Sequence, residues 1–218
     1  MMESIAKLTE LMLKAETYEM TEQTQFHEMD LLLNREQIHD YLQIRKNEII
    51  EELKNLVKIP SVQGQTEEYS PFGKDCAYVL KAIQVLYQVN GFETELDEQG
   101  GYLLSYYGQG EKSIGLFAHA DVVAVGEDWL YTKPFEPVEK DGFLIGRGVL
   151  DDKSAVIMSL YILKLIKDLG IPFKRRIVCF TGVNEETGMK DIQNYIAKHK
   201  PPDFSLGCGC GIQNYGIN

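Results

Sequence analysis

Arg176-Ile177-Val178-Cys179-Phe180-Thr181, followed by Gly182-Val183-Asn184-Glu185-Glu186-Thr187-Gly188, is the stretch on which the reading of this chain turns. The first six residues are largely apolar and do not alternate with polar ones, the pattern of a strand that needs cover on both faces. Two glutamates on a surface helix would carry no message. Directly after a buried strand, their carboxylates repel each other unless a cation compensates. A natural division is one glutamate on a metal and one free to move protons.

Toward the N-terminus, Ser154 to Leu169 is a strongly apolar helix closed by Gly170 and Pro172. Before it, Ser113 to Ala118 is a second buried strand that ends at His119. Strand, helix, strand in this order predicts a parallel pair joined by a right-handed crossover. Ligand sites in such sheets gather at the carboxyl ends of strands, which brings His119 and Glu185-Glu186 to one edge. His119 can bind a metal through a neutral ring nitrogen, and Asp121 can accept the other ring N–H and fix the tautomer. Taken alone, a histidine near an apolar strand is more often a hydrogen-bonded core residue. Gly146-Arg147-Gly148-Val149-Leu150-Asp151-Asp152-Lys153 places two acids before the apolar helix. One acid is explained by helix capping; the second is free to bridge two cations.

The remaining pattern is also α/β. A helix over 38–57 ends at Pro60, and another over 71–89 is closed by Gly91. Strands are expected over 92–96 and 102–107, around Gln99-Gly100-Gly101, and over 143–145. A polar helix over 190–200 precedes Pro201-Pro202. Residues 1–36 look separate: Ile5, Leu8 and Met12 recur at helical spacing, Thr21 to His27 reads as a linker, and Met29 could be an alternative start. Lys plus Arg number 22 against 33 Asp plus Glu, a net charge of −11 that argues against nucleic acid and anionic membranes. No apolar run approaches the roughly 20 residues that span a bilayer. Neither a C-x-x-C pair nor a disulfide framework is present, so a soluble, cytoplasmic protein is expected. Gly108-Gln109-Gly110 does not open a helix, and no phosphate-binding G-x-x-x-x-G-K-[ST] loop exists.

No single element is specific, but Phe117 to Val123, Asp128-Trp129, Pro134-Phe135-Glu136-Pro137, Gly146 to Lys153 and Asn184 to Gly188 together resemble the aminoacylase, acetylornithine deacetylase and carnosinase superfamily of di-zinc hydrolases. The wording Asn-Glu-Glu-Thr-Gly, with Lys190-Asp191 and Pro202-Asp203-Phe204 after it, looks most like the bacterial PepV-type dipeptidases. The resemblance implies an α/β catalytic domain with a mainly parallel sheet flanked by helices, here its N-terminal part over 37–206, preceded by a helical extension over 1–36. It implies two divalent metal ions, zinc first, with manganese or cobalt as alternatives. His119 would bind one, Asp151 would bridge both and Glu186 would bind the second. Asp121 would orient His119, and Glu185 would be the general base. The substrate would be a dipeptide or short peptide; an N-acyl amino acid is the alternative.

The chain departs from that family at its C-terminal side. An aspartate ligand expected by spacing at 209 is Gly209, and a distal histidine ligand and the lid domain, through which relatives dimerise, have no counterpart. The domain therefore reads as incomplete and inactive alone, or as a non-catalytic remnant, and 207–218 reads as an irregular tail. Shifted by one base, codons for the segment around Cys208-Gly209-Cys210 can encode Ala-Asp-Ala-Gly, restoring an aspartate at 209.

Overall fold

In the computed structural model, which describes residues 1–17 and 35–207, the quoted strand is the middle of a five-stranded sheet. The elements in chain order are α1 (Met2–Thr17), α2 (Arg35–Val57), α3 (Lys74–Val89), β1 (Glu93–Leu96), β2 (Tyr102–Tyr107), β3 (Ser113–His119), β4 (Val138–Lys140), β5 (Phe143–Ile145), α4 (Lys153–Asp168), β6 (Arg176–Gly182), α5 (Lys190–Lys198) and β7 (Phe204–Gly207). The sheet order is β1-β2-β6-β3-β7, and β4 and β5 form a separate hairpin. The α/β class is as expected. The sheet is mixed: β6, β3 and β7 run parallel, whereas β1 and β2 add antiparallel strands at one side.

Register decides where the chemistry falls. Ser113 pairs with Arg176 and His119 with Gly182, so the two parallel strands end level with each other. Alternation then sorts their side chains. Leu103, Ile114, Leu116, Ile177 and Cys179 face a large core with α4, and Leu104, Val178 and Phe180 face the other way with Tyr102 and Tyr195. α4 is apolar all round because it lies between the sheet and α1 and α2; Leu160, Ile162, Leu163 and Leu165 are all fully buried. Each such side chain contributes about 1.5–3 kcal/mol of transfer free energy. Polar clips fix α2 on α4: Lys164 Nζ lies 2.6 Å from Glu48, and the Tyr41 hydroxyl donates to Asp168 at 2.7 Å.

Four elements differ from the sequence reading. α1 is not apart from the rest, since Ile5, Leu8 and Met12 are buried in the same core as α2 and α4. α3 begins at Lys74 rather than at Pro71, because Gly73 turns the chain with φ 100 where a Cβ would sit 2.7 Å from the backbone of Gly64. β4 and β7 were too short for pattern to reveal; β7, Phe204–Gly207, takes Gly207 out of the irregular tail and onto the sheet beside β3. The linker segment Thr21 to His27, Met29, and Cys208, Gly209 and Cys210 lie outside the described residues.

Candidate metal centre

The level ends of β3 and β6 carry the site. His119 is the last residue of β3 and is buried. Its Nδ1 lies 3.2 Å from both the carbonyl and a carboxylate oxygen of Asp121, two acceptors for a proton on Nδ1, and Nε2 is the nitrogen that faces Asp151. Nε2 lies 3.0 Å from Asp151 Oδ1 and 3.8 Å from Glu185 Oε2. Asp151 arrives from the loop before α4, and the Asp151–Asp152 peptide bond is cis. Glu185 and Glu186 open a single 3-10 turn just past β6. Ligand atoms of His119, Asp151 and Glu186 all lie within 4.8 Å of one another. The structure thus brings together all five residues singled out in the sequence.

Asp121 also reaches beyond the histidine. Its two carboxylate oxygens also accept the amide N–H groups of Glu185 at 3.3 Å and Glu186 at 3.1 Å. Strand β3 thereby holds the turn that follows β6. The segment after His119 is itself held: Ala120 N donates to Gly182 O at 2.9 Å, Val122 N to Ser61 O at 3.0 Å, and the Ser61 hydroxyl to Ala120 O at 2.5 Å.

The capping reading of Asp152 is corrected. It stands at the N-cap of α4 but makes no side-chain cap bond. Its buried carboxylate instead accepts His119 N–H at 3.3 Å, and its other oxygen has no hydrogen-bond partner. Lys153 is also turned inward; fully buried, it donates to the carbonyls of Leu56 and Ile59 at 3.0 and 2.6 Å. Those two carbonyls belong to the end of α2 and the loop after it, so Lys153 anchors the Asp151 loop from below.

The electrostatics are those of a site short of positive charge. Burial disfavours a charged imidazole at His119, but the Asp121 hydrogen bond and the charges of Asp152, Asp121 and Glu185 outweigh it and raise the pKa to about 9. Burial pushes Asp152 up to about 7 against the opposing charge of His119. Burial, reinforced by Asp151, also holds Glu186 above the ordinary carboxylate range. Five carboxylates surround one imidazole, and the imidazole of His119 with the carboxylates of Asp151 and Glu186 makes a hard and borderline donor set that suits a divalent cation. A cavity of about 600 Å³ lies beside β4 and β5, lined by Trp129, Tyr131, Phe143 and Leu150 among others; none of the five site residues lines it.

Sequence reading named Asn184 and Asp191 only as motif wording, with no role, and did not single out Ser61, since each acts on groups that another element supplies. No described helix is long and apolar enough to cross a membrane.

Residues 115–216 match the family model described as Peptidase family M20/M25/M40. A Staphylococcus haemolyticus protein with a provisional dipeptidase name is 31% identical over 175 residues, spanning 79% of this chain and 36% of the relative. A Staphylococcus aureus protein with the same kind of name is 32% identical over 178 residues, with the same shares. This chain therefore spans about 36% of the length of these curated relatives. Among solved structures, human carnosine dipeptidase 1 aligns with a TM-score of 0.67 and 20% identity over 77% of this chain and 39% of its own. The dipeptidase Dug1p of Saccharomyces cerevisiae aligns with a TM-score of 0.62 and 22% identity over 73% and 36%. These two likenesses speak for the fold.

Proposed function

We propose that this chain, a peptidase family M20/M25/M40 sequence over residues 115–216, serves metal-dependent hydrolysis of dipeptides or short peptides, with residues 37–206 as part of the catalytic domain. The observation that carries this reading is the convergence of His119, Asp151 and Glu186 within 4.8 Å, with Glu185 beside them. His119 would hold one divalent cation, Asp151 would bridge to a second, and Glu186 would complete the second; zinc fits this donor set, and manganese or cobalt are alternatives. When bound, such ions lower the pKa of water and polarise a carbonyl. The names of the Staphylococcus relatives favour a dipeptide over an N-acyl amino acid as substrate.

The protein's own groups do the rest. Asp121 keeps Nδ1 protonated and Nε2 free for the cation. Glu185 is half-exposed, so a water molecule can reach it, while its backbone is fixed by Asp121. In the reaction, water adds its oxygen to the scissile carbonyl carbon and Glu185 accepts the released proton. As the C–N bond breaks, Glu185 returns that proton to the departing amine nitrogen.

The test is a zinc titration of the wild type beside His119→Ala, Asp151→Asn and Glu186→Gln. Each variant should bind zinc at least about a hundredfold more weakly, the upper end of the loss when even an outer partner of a ligand is removed. Unchanged affinity in all three would refute the site.

A further inference from the structure

We infer that Asp191, on α5 and outside the ligand set, is a positioning residue for the turn that carries Glu185 and Glu186. The inference rests on the metal-site reading above and extends it to a residue that touches neither metal nor substrate.

Four consecutive amides, Val183 to Glu186, are satisfied by two buried carboxylates. Asp121 takes the N–H groups of Glu185 and Glu186 from the β3 side. Asp191 takes those of Val183 at 2.7 Å and Asn184 at 2.9 Å from the α5 side, through one oxygen. Its second oxygen accepts Ile192 N–H at 2.7 Å. Asp191 is 2% exposed, so these bonds are formed away from water, where losing an acceptor leaves donors stranded. A residue that merely capped α5 would bond within its own helix. Two of the three bonds of Asp191 leave the helix and end on the strand terminus.

Gly182 supplies an independent sign. A Cβ there would lie 2.2 Å from Asp191 Oδ2, so the carboxylate reaches the turn only because residue 182 has no side chain. Gly182 is the register partner of His119, and its carbonyl accepts Ala120 N–H. The same short segment therefore joins the His119 strand, the Asp191 carboxylate and the Glu185-Glu186 turn. Asn184 closes the arrangement: its side-chain oxygen accepts Lys190 N–H at 2.8 Å and its amide donates to Thr187 at 2.6 Å. Asp191 thus acts through the backbone on where the Glu186 carboxylate sits relative to His119 and Asp151.

The experiment is a cobalt(II) and zinc titration of the chain, with the visible absorption of bound cobalt as a spectroscopic readout. Asp191→Asn, which keeps the shape but replaces one of the two acceptor oxygens with an N–H donor and removes the charge, should weaken metal binding by about tenfold or more and alter the cobalt spectrum. Gly182→Ala, which keeps the carboxylate and displaces it, should do the same and decides the matter should Asp191→Asn not fold. Val79→Ala, buried on α3, is the control that lowers stability while leaving affinity and spectrum unchanged. Wild-type affinity and spectrum in a folded Asp191→Asn or Gly182→Ala overturn the inference alone. Absence of metal binding by the wild type overturns the site reading itself, and the inference with it.

Discussion

The bodies of β3 and β6 and the ends of the same two strands obey opposite rules. In the bodies, Ile114, Leu116, Ile177 and Cys179 are buried and apolar, and stability comes from excluding water. At their ends, Asp121, Asp151, Asp152, Glu185 and Glu186 crowd like charges around His119 at a partly buried edge, an arrangement that burial and repulsion both disfavour. What permits it is backbone held from several directions: Asp121 and Asp191 on the glutamate turn, Asp152 on His119, and Lys153 beneath the Asp151 loop. The body supplies rigidity and the end uses it to hold an electrostatic deficit that a cation would fill.

If that division is correct, substitutions should separate cleanly into those that alter chemistry and those that alter stability. The largest effect is expected for Glu185→Gln, which should lower by about 10² to 10⁴-fold whatever peptide turnover the chain supports while leaving zinc affinity nearly unchanged, because an amide cannot accept the proton from water. Parallel loss of turnover and affinity would move Glu185 from base to ligand. Within the body, Leu160→Ala should cost about 2–5 kcal/mol in urea unfolding. Ile192→Ala, on the half-buried α5 face, should cost less than that, and neither should shift the zinc affinity of the folded protein. A large affinity change in Leu160→Ala would break the separation.

Gly148 lies on the boundary between the two regimes. It has φ +87, and a Cβ there would meet Val122 at 3.0 Å and the Lys153 stem at 3.1 Å. Gly148→Ala should therefore cost about 1–3 kcal/mol and also weaken metal binding, because strain enters the loop that delivers Asp151. Stability loss with wild-type zinc affinity would place Gly148 wholly in the body. The smallest effect concerns Glu52, between α2 and α4, whose carboxyl burial holds above the ordinary value of 4.5 against the neighbouring Tyr161 hydroxyl and Lys164 charge. A carboxyl whose folded pKa is raised stabilises the fold fully below its unfolded pKa, and that contribution fades as pH rises through the folded value. Glu52→Gln should match the wild type near pH 4 and become the more stable of the two toward pH 8, measured by thermal melts. A gap of the opposite sign would mean that the Lys164 charge outweighs burial there.

By itself the sequence determined the strand and helix bodies, because the apolar runs of Ile114 to Phe117, Ser154 to Leu169 and Ile177 to Phe180 are local properties of the chain. Motif wording likewise marked His119, Asp121, Asp151, Glu185 and Glu186, each as a candidate whose role came from resemblance. Only the tertiary structure decided that α1 joins the core, that β4 and β7 exist, that Asp152 turns away from its helix toward His119, and that Asp191 reaches under Gly182. The reason is range. A side chain's periodicity is set by its neighbours in the chain, but the partner of a buried carboxylate is set by whatever backbone the fold carries past it: Asp152 meets an amide 33 residues away, and Asp121 one that is 64 residues away.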